Sequence, residues 1–152
     1  MPLLSFQARF APAVANGVAE LRGEPLPHPG LRPKRQTIRA FRKDHRDPKV
    51  GDTLYLWTRL RHRTLPAIKL SQVTCTSTCG LEVKQVGRRL GLALPDVVKV
   101  TPWPIASPVP HLLVERPLDA LAKADGFETW PELLAFIEKT HGLPFYGLII
   151  CW

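Results

Sequence analysis

Residues 34–41 read Lys34-Arg35-Gln36-Thr37-Ile38-Arg39-Ala40-Phe41, immediately after Pro33. From Gln36 onward, positions 37, 39 and 41 alternate with 36, 38 and 40, which is the period of a strand. The strand predicted over 36–41 places Thr37 and Arg39 on one face and Ile38 on the other. Downstream, Asp47-Pro48-Lys49-Val50-Gly51-Asp52 has the composition of a turn. Thr53–Thr58, rich in Leu, Tyr, Trp and Thr, reads as a second strand. Further strands are expected over 67–75 and 81–86, and the apolar run over 146–152 reads as a fully buried one.

Upstream, Ser5-Phe6-Gln7 predicts a short strand. A helix follows it, with Pro12 in the first turn and an end near Gly17. Two helices are expected late in the chain. One covers 118–124, between Pro117 and Gly126. The other opens on Thr129-Trp130-Pro131-Glu132, the spacing of a capping box, and stops at Gly142. Trp130, Leu133, Leu134 and Ile137 share one face of that helix. Short strands in mixed order with few helices predict an α+β fold around a small, curved, partly closed sheet. The proline-rich stretches 23–33 and 102–110 read as loops, and neither is long enough to divide the chain, so residues 1–152 are expected to form a single domain.

At 45% hydrophobic and 22% charged residues, the composition excludes a disordered tail. Apolar runs such as Leu148–Trp152 are too short to span a bilayer, so no membrane partner is expected. Met1–Phe10 lacks a charged start followed by a long apolar stretch, so no secretory signal is expected either. Three cysteines, an odd and sparse set, fit a reducing cytoplasm.

The formal net charge is +8, and its placement is uneven. Residues 1–30 sum to zero, as do residues 64–152. Residues 31–63 hold Arg32, Lys34, Arg35, Arg39, Arg42, Lys43, Arg46, Lys49, Arg59, Arg61 and Arg63 against Asp44, Asp47 and Asp52, eleven minus three, which is the whole excess. Such a local field attracts polyanions, and arginine makes forked contacts to phosphate. The segment therefore reads as a nucleic-acid or nucleotide surface, or else as a solvated basic face.

Lys34, Thr37 and Arg39 bring an amine, a hydroxyl and a guanidinium within six residues. A threonine hydroxyl becomes nucleophilic only when a base removes its proton. A lysine serves as that base only when burial or nearby cations keep part of it neutral. In an ideal strand, residues three apart face opposite sides, but Lys34 follows Pro33 at the loop–strand junction, where the pleat need not hold. The alternative is that Thr37 packs and Lys34 is solvated or contacts phosphate. Tyr55 and Trp57 alternate on one face, placed either to stack a base or to fill a core. Asp125-Gly126 before a helix is by itself only a turn signal.

Lys34-x-x-Thr37-Ile38-Arg39, then Gly51-Asp52 before a strand, then Asp125-Gly126-Phe127 with Trp130 and Glu132-Leu133, then a final Ile149-Ile150-Cys151-Trp152, resembles the ASCH domain family of the PUA-like superfold. The resemblance covers roughly 3–59 and 115–152, and it makes 18–33 a loop insertion. It implies a small PUA-like β-barrel with flanking helices and an RNA-related cleft. Some bacterial members hydrolyse the acetyl amide of acetylcytidine, and that activity implies Thr37 as nucleophile and Lys34 as base. Asp125 would be the acid, with Glu128 as the substitute. Arg39 would contact an anion or carbonyl, and Arg35, Tyr55, Trp57, Arg59, Arg61 and Arg63 would complete a surface for RNA or a modified nucleoside. Other members imply plain RNA binding or a metal-independent ribonuclease.

No metal or cofactor is expected. Cys75-x-x-x-Cys79 lacks zinc-knuckle spacing, the five histidines show no ligand pattern, and no phosphate-loop or dinucleotide fingerprint is present.

Overall fold

The computed structural model of this protein describes residues 2–60, 62–84, 97–102 and 118–152. Among the described residues, seven strands and three α-helices follow the order β1 (Leu3–Phe6), α1 (Ala11–Arg22), β2 (Gln36–Ala40), β3 (Thr53–Thr58), β4 (Ile68–Thr74), β5 (Ser77–Lys84), β6 (Val97–Pro102), α2 (Leu118–Ala124), α3 (Trp130–His141), β7 (Phe145–Cys151). The fold is α+β. The strands lie in two sheets, one ordered β1-β3-β4 and one ordered β2-β7-β5-β6, and no closed barrel is formed among the described residues. Strand β1 runs parallel to β3, and every other pairing is antiparallel.

Strand β7 joins two cores because both of its faces are apolar. Leu148, Ile150 and Trp152 pack against Leu4, Phe6, Leu54, Leu56 and the α1 residues Val14 and Val18. Phe145 and Ile149, on the opposite face, pack against Leu81, Val83, Phe127 and the inner faces of α2 and α3. A strand buried on both sides needs a continuous apolar run rather than alternation, and Leu148-Ile149-Ile150 supplies one. Gly147 is required beside it, since a Cβ there would overlap the Arg39 carbonyl oxygen of β2.

Four elements differ from the sequence reading. Helix α1 passes through Gly17 and ends at Gly23, whose left-handed φ of 68° suits glycine at a helix C-cap. Gly17 serves close approach instead of termination: a Cβ there would stand 2.7 Å from the Lys34 carbonyl carbon. Residues 18–22, expected in a loop insertion, are helical. Strand β5 starts at Ser77 and takes up Cys79, and β6 uses the valine-rich run Val97-Val98-Lys99-Val100, where the sequence reading expects no strand. The capping box does not form at α3, where Thr129 makes no side-chain cap bond. Asp119 of α2 accepts the Trp130 N–H at 2.8 Å instead, and Glu132 accepts the Glu128 N–H at 3.1 Å.

Candidate active site

The outer edge of β2 organises the site. Pairing with β7 sets Thr37 opposite Ile150 and Arg39 opposite Leu148, so both side chains lie on the face toward the first core. Ile38 pairs with Ile149 and packs with the second core, beside α2 and α3. Lys34 precedes the strand. Its N–H donates to the Ala13 carbonyl of α1 at 2.8 Å, which the close approach at Gly17 permits. Asn16, fully buried on the same helix, fixes the preceding loop. It donates to the carbonyls of His28 at 2.7 Å and Leu31 at 2.9 Å, and it accepts the His28 N–H at 2.9 Å.

So held, Lys34 runs inward under the Phe10 ring and is 2% exposed. Its ammonium donates to the Asp125 carbonyl and lies 3.1 Å from Asp125 Oδ1. That same Oδ1 accepts the Ile38 N–H at 2.9 Å, tying the carboxylate to the free edge of β2. Asp125 is 6% exposed, at the turn between α2 and Phe127. Gly126, at φ 91°, makes that turn against the Phe10 ring and the Lys34 stem.

Burial disfavours both charges. Desolvation pushes Lys34 below its ordinary value, with Arg39 adding to that, while attraction to Asp125 opposes it. Desolvation raises Asp125, against the pull of Lys34, the Ile38 N–H and Arg39. Each group is thus pushed against its charged form by burial, while the attraction between the two opposes that push.

The Thr37 side chain lies outside this pair. It is 4% exposed and its hydroxyl makes no hydrogen bond to any described residue. Arg39 donates to the Ser5 carbonyl and lies over the Phe6 ring, 5.2 Å from its centroid. Arg35 bridges to the chain end, its Nε donating to the Trp152 carbonyl at 3.1 Å, and it faces Glu20 at 3.6 Å. Glu128 is exposed, and Asp125 is the carboxylate that the fold brings to Lys34.

The other expected residues gather elsewhere. Leu54 and Leu56 of β3 face the first core, so Tyr55 and Trp57 face outward, half-exposed. The core separates them from Lys34, and one shared cleft is not formed. Arg59 and Arg63 lie in the loop after β3, Arg63 being exposed. Arg61 is outside the described residues. Cys75 is packed in the first core, where burial pushes its thiol up to about 11. Asn16, Gly17 and Asp119 position the site or its neighbours without having been singled out for that in the sequence. The first two carried a weak signal, an Asn-Gly pair inside an otherwise apolar helical face.

Compared with known proteins, the chain matches no family model, no curated protein and no solved structure. No described helix is long and apolar enough to cross a membrane.

Proposed function

We propose that this protein is an ASCH-type domain of the PUA-like superfold, working in the cytoplasm as an amidohydrolase that removes an acyl group from the exocyclic amine of a cytidine. The observation that carries this reading is the buried Lys34–Asp125 pair at the edge of the strand that holds Thr37, whose hydroxyl makes no hydrogen bond to a described residue.

In this reading Thr37 Oγ bonds to the acyl carbon as its proton passes to the Lys34 amine. The C–N bond then breaks, and the departing amine takes a proton from the Asp125 carboxylic acid. Water attacks the resulting threonine ester, giving a proton to the Asp125 carboxylate, while Thr37 recovers its proton from the Lys34 ammonium. The acid leaves, and both groups return to their starting states. Apo side chains often align only when substrate is bound, so a rotation of Thr37 toward the pair is part of the proposal. Arg39 supports the amine form of Lys34 through its charge.

The test is deacetylation of acetylcytidine by the purified chain. Turnover that is lost in Thr37→Val and retained in Glu128→Ala supports the assignment. Absence of turnover, or turnover indifferent to Thr37→Val, removes it.

A further inference from the structure

Both members of the Lys34–Asp125 pair are buried, so a substrate amide reaches the amine only if something moves. The cover is thin at one point. Gly126 is exposed, and a Cβ on it would stand 3.4 Å from the Lys34 stem and 3.1 Å from the Phe10 ring. Solvent therefore comes within one residue of the lysine there. The half-buried Phe10 ring lies at the same point, its centroid 5.3 Å from Lys34 Nζ.

Phe10 closes a short 3₁₀ turn, Ala8–Phe10, none of whose residues is buried. Gln7, Ala8 and Arg9 are exposed, and the turn hangs between two anchors, buried Phe6 of β1 and buried Val14 of α1. Its hold on the interior is the Phe10 ring, which packs against both cores and meets Phe127 with centroids 5.5 Å apart. Exposed Arg9 lies over the same rings. Its guanidinium is 4.5 Å from the Phe10 centroid, 5.3 Å from that of Phe127 and 5.9 Å from that of Phe136. A turn held by one ring and one surface cation opens at lower cost than a packed strand or helix.

We infer that Phe10 is the specificity-determining gate of the site and Arg9 its latch. The ring swings outward with its turn, and the flat ring of the substrate takes the vacated place beside Lys34 and Phe127. A flat aromatic ring restores the ring–ring and cation–ring contacts that Phe10 gives up, whereas an aliphatic amide does not. Preference for an aromatic amide thus comes from an exchange of one ring for another. The preference rests on the hydrolase reading, but the opening of the gate does not.

The experiment is amine labelling with acetic anhydride, read by peptide mass spectrometry at Lys34 against exposed Lys139 in the same sample. Relative to Lys139, Lys34 should react slowly in wild type, roughly tenfold faster in Phe10→Ala and a few-fold faster in Arg9→Ala. Hydrating the amine favours its protonated, unreactive form, so acceleration reports access. Leu54→Ala opens a cavity under β3 and separates access from general loosening; its Lys34 should label as in wild type. Unchanged labelling in Phe10→Ala, or equal acceleration in Leu54→Ala, overturns the gate. Selection is read from kcat/KM for acetylcytidine against N-acetylethanolamine, an aliphatic amide. Phe10→Ala should shift that ratio toward the aliphatic amide by roughly tenfold. An unchanged ratio overturns the role in selection. If no variant turns over acetylcytidine, the hydrolase reading fails while labelling still decides the gate.

Discussion

Asp125 Oδ1 serves Lys34 and Ile38 at once, the ammonium at 3.1 Å and the strand N–H at 2.9 Å. The carboxylate is therefore both the counter-ion of a buried lysine and the edge partner of β2. Removing either half of a buried ion pair leaves the other uncompensated, at a cost of about 3–5 kcal/mol. Lys34→Met alone and Asp125→Leu alone should each fall in that range by urea denaturation, and Lys34→Met/Asp125→Leu should cost clearly less than their sum. An additive double variant would mean that the pair does not interact.

The same burial sets a pH dependence of definite sign. Asp125 is raised above its ordinary 3.8, so between 3.8 and its folded value the native chain holds a proton that the unfolded chain has released. This contribution to stability is fully present below pH 3.8 and declines as pH rises through that window. Exposed Asp44 has the opposite sign, because Arg42 holds it below its ordinary value. The difference in unfolding free energy between wild type and Asp125→Asn should therefore fall as pH rises from 3.8. A difference that grows would show that the carboxyl is held low by its partners instead.

Thr37→Val separates architecture from chemistry. The hydroxyl makes no hydrogen bond to a described residue, so replacing it by a methyl group of similar size should be close to neutral. Melting temperature should hold while acetylcytidine turnover disappears. A drop of several degrees would reveal a bond that the hydroxyl makes in solution.

Gly17→Ala places a methyl group against the Lys34 carbonyl, where backbone stands on the other side and cannot swing away. Overpacking of this kind costs typically about 1–3 kcal/mol. Turnover should fall with it, since the carbonyl belongs to the residue whose amine is the base. Wild-type melting and turnover in Gly17→Ala would show that α1 and Lys34 lie further apart.

At α3, Asp119→Ala should cost about 1 kcal/mol as a lost helix cap, while Thr129→Ala should cost little. Chemical denaturation of the two variants decides which residue is the cap.

Strand β3 and helices α2 and α3 are legible from the chain alone because their periodicity is local and their ends carry proline, glycine or a capping residue. Gly17 was misleading because a glycine that ends a helix and one that lets another backbone pass look identical in sequence. The Thr129 box failed for a related reason. It satisfies every local rule, yet Asp119 of the neighbouring helix accepts the first N–H of α3, that of Trp130, through the packing of two helices. The Lys34–Asp125 association, 91 residues apart, was reached through resemblance and had no local signal of its own. The alternation of Tyr55 and Trp57 was visible, but which side of the core they occupy depends on how the two sheets stack.

Because β7 lends one face to each core, neither half of the molecule can keep its interior dry once that strand leaves. Melting should then be a single transition, with no partly unravelled form in which Lys34 still meets Asp125. Any chemistry at that edge would switch off together with the whole tertiary structure instead of fading ahead of it.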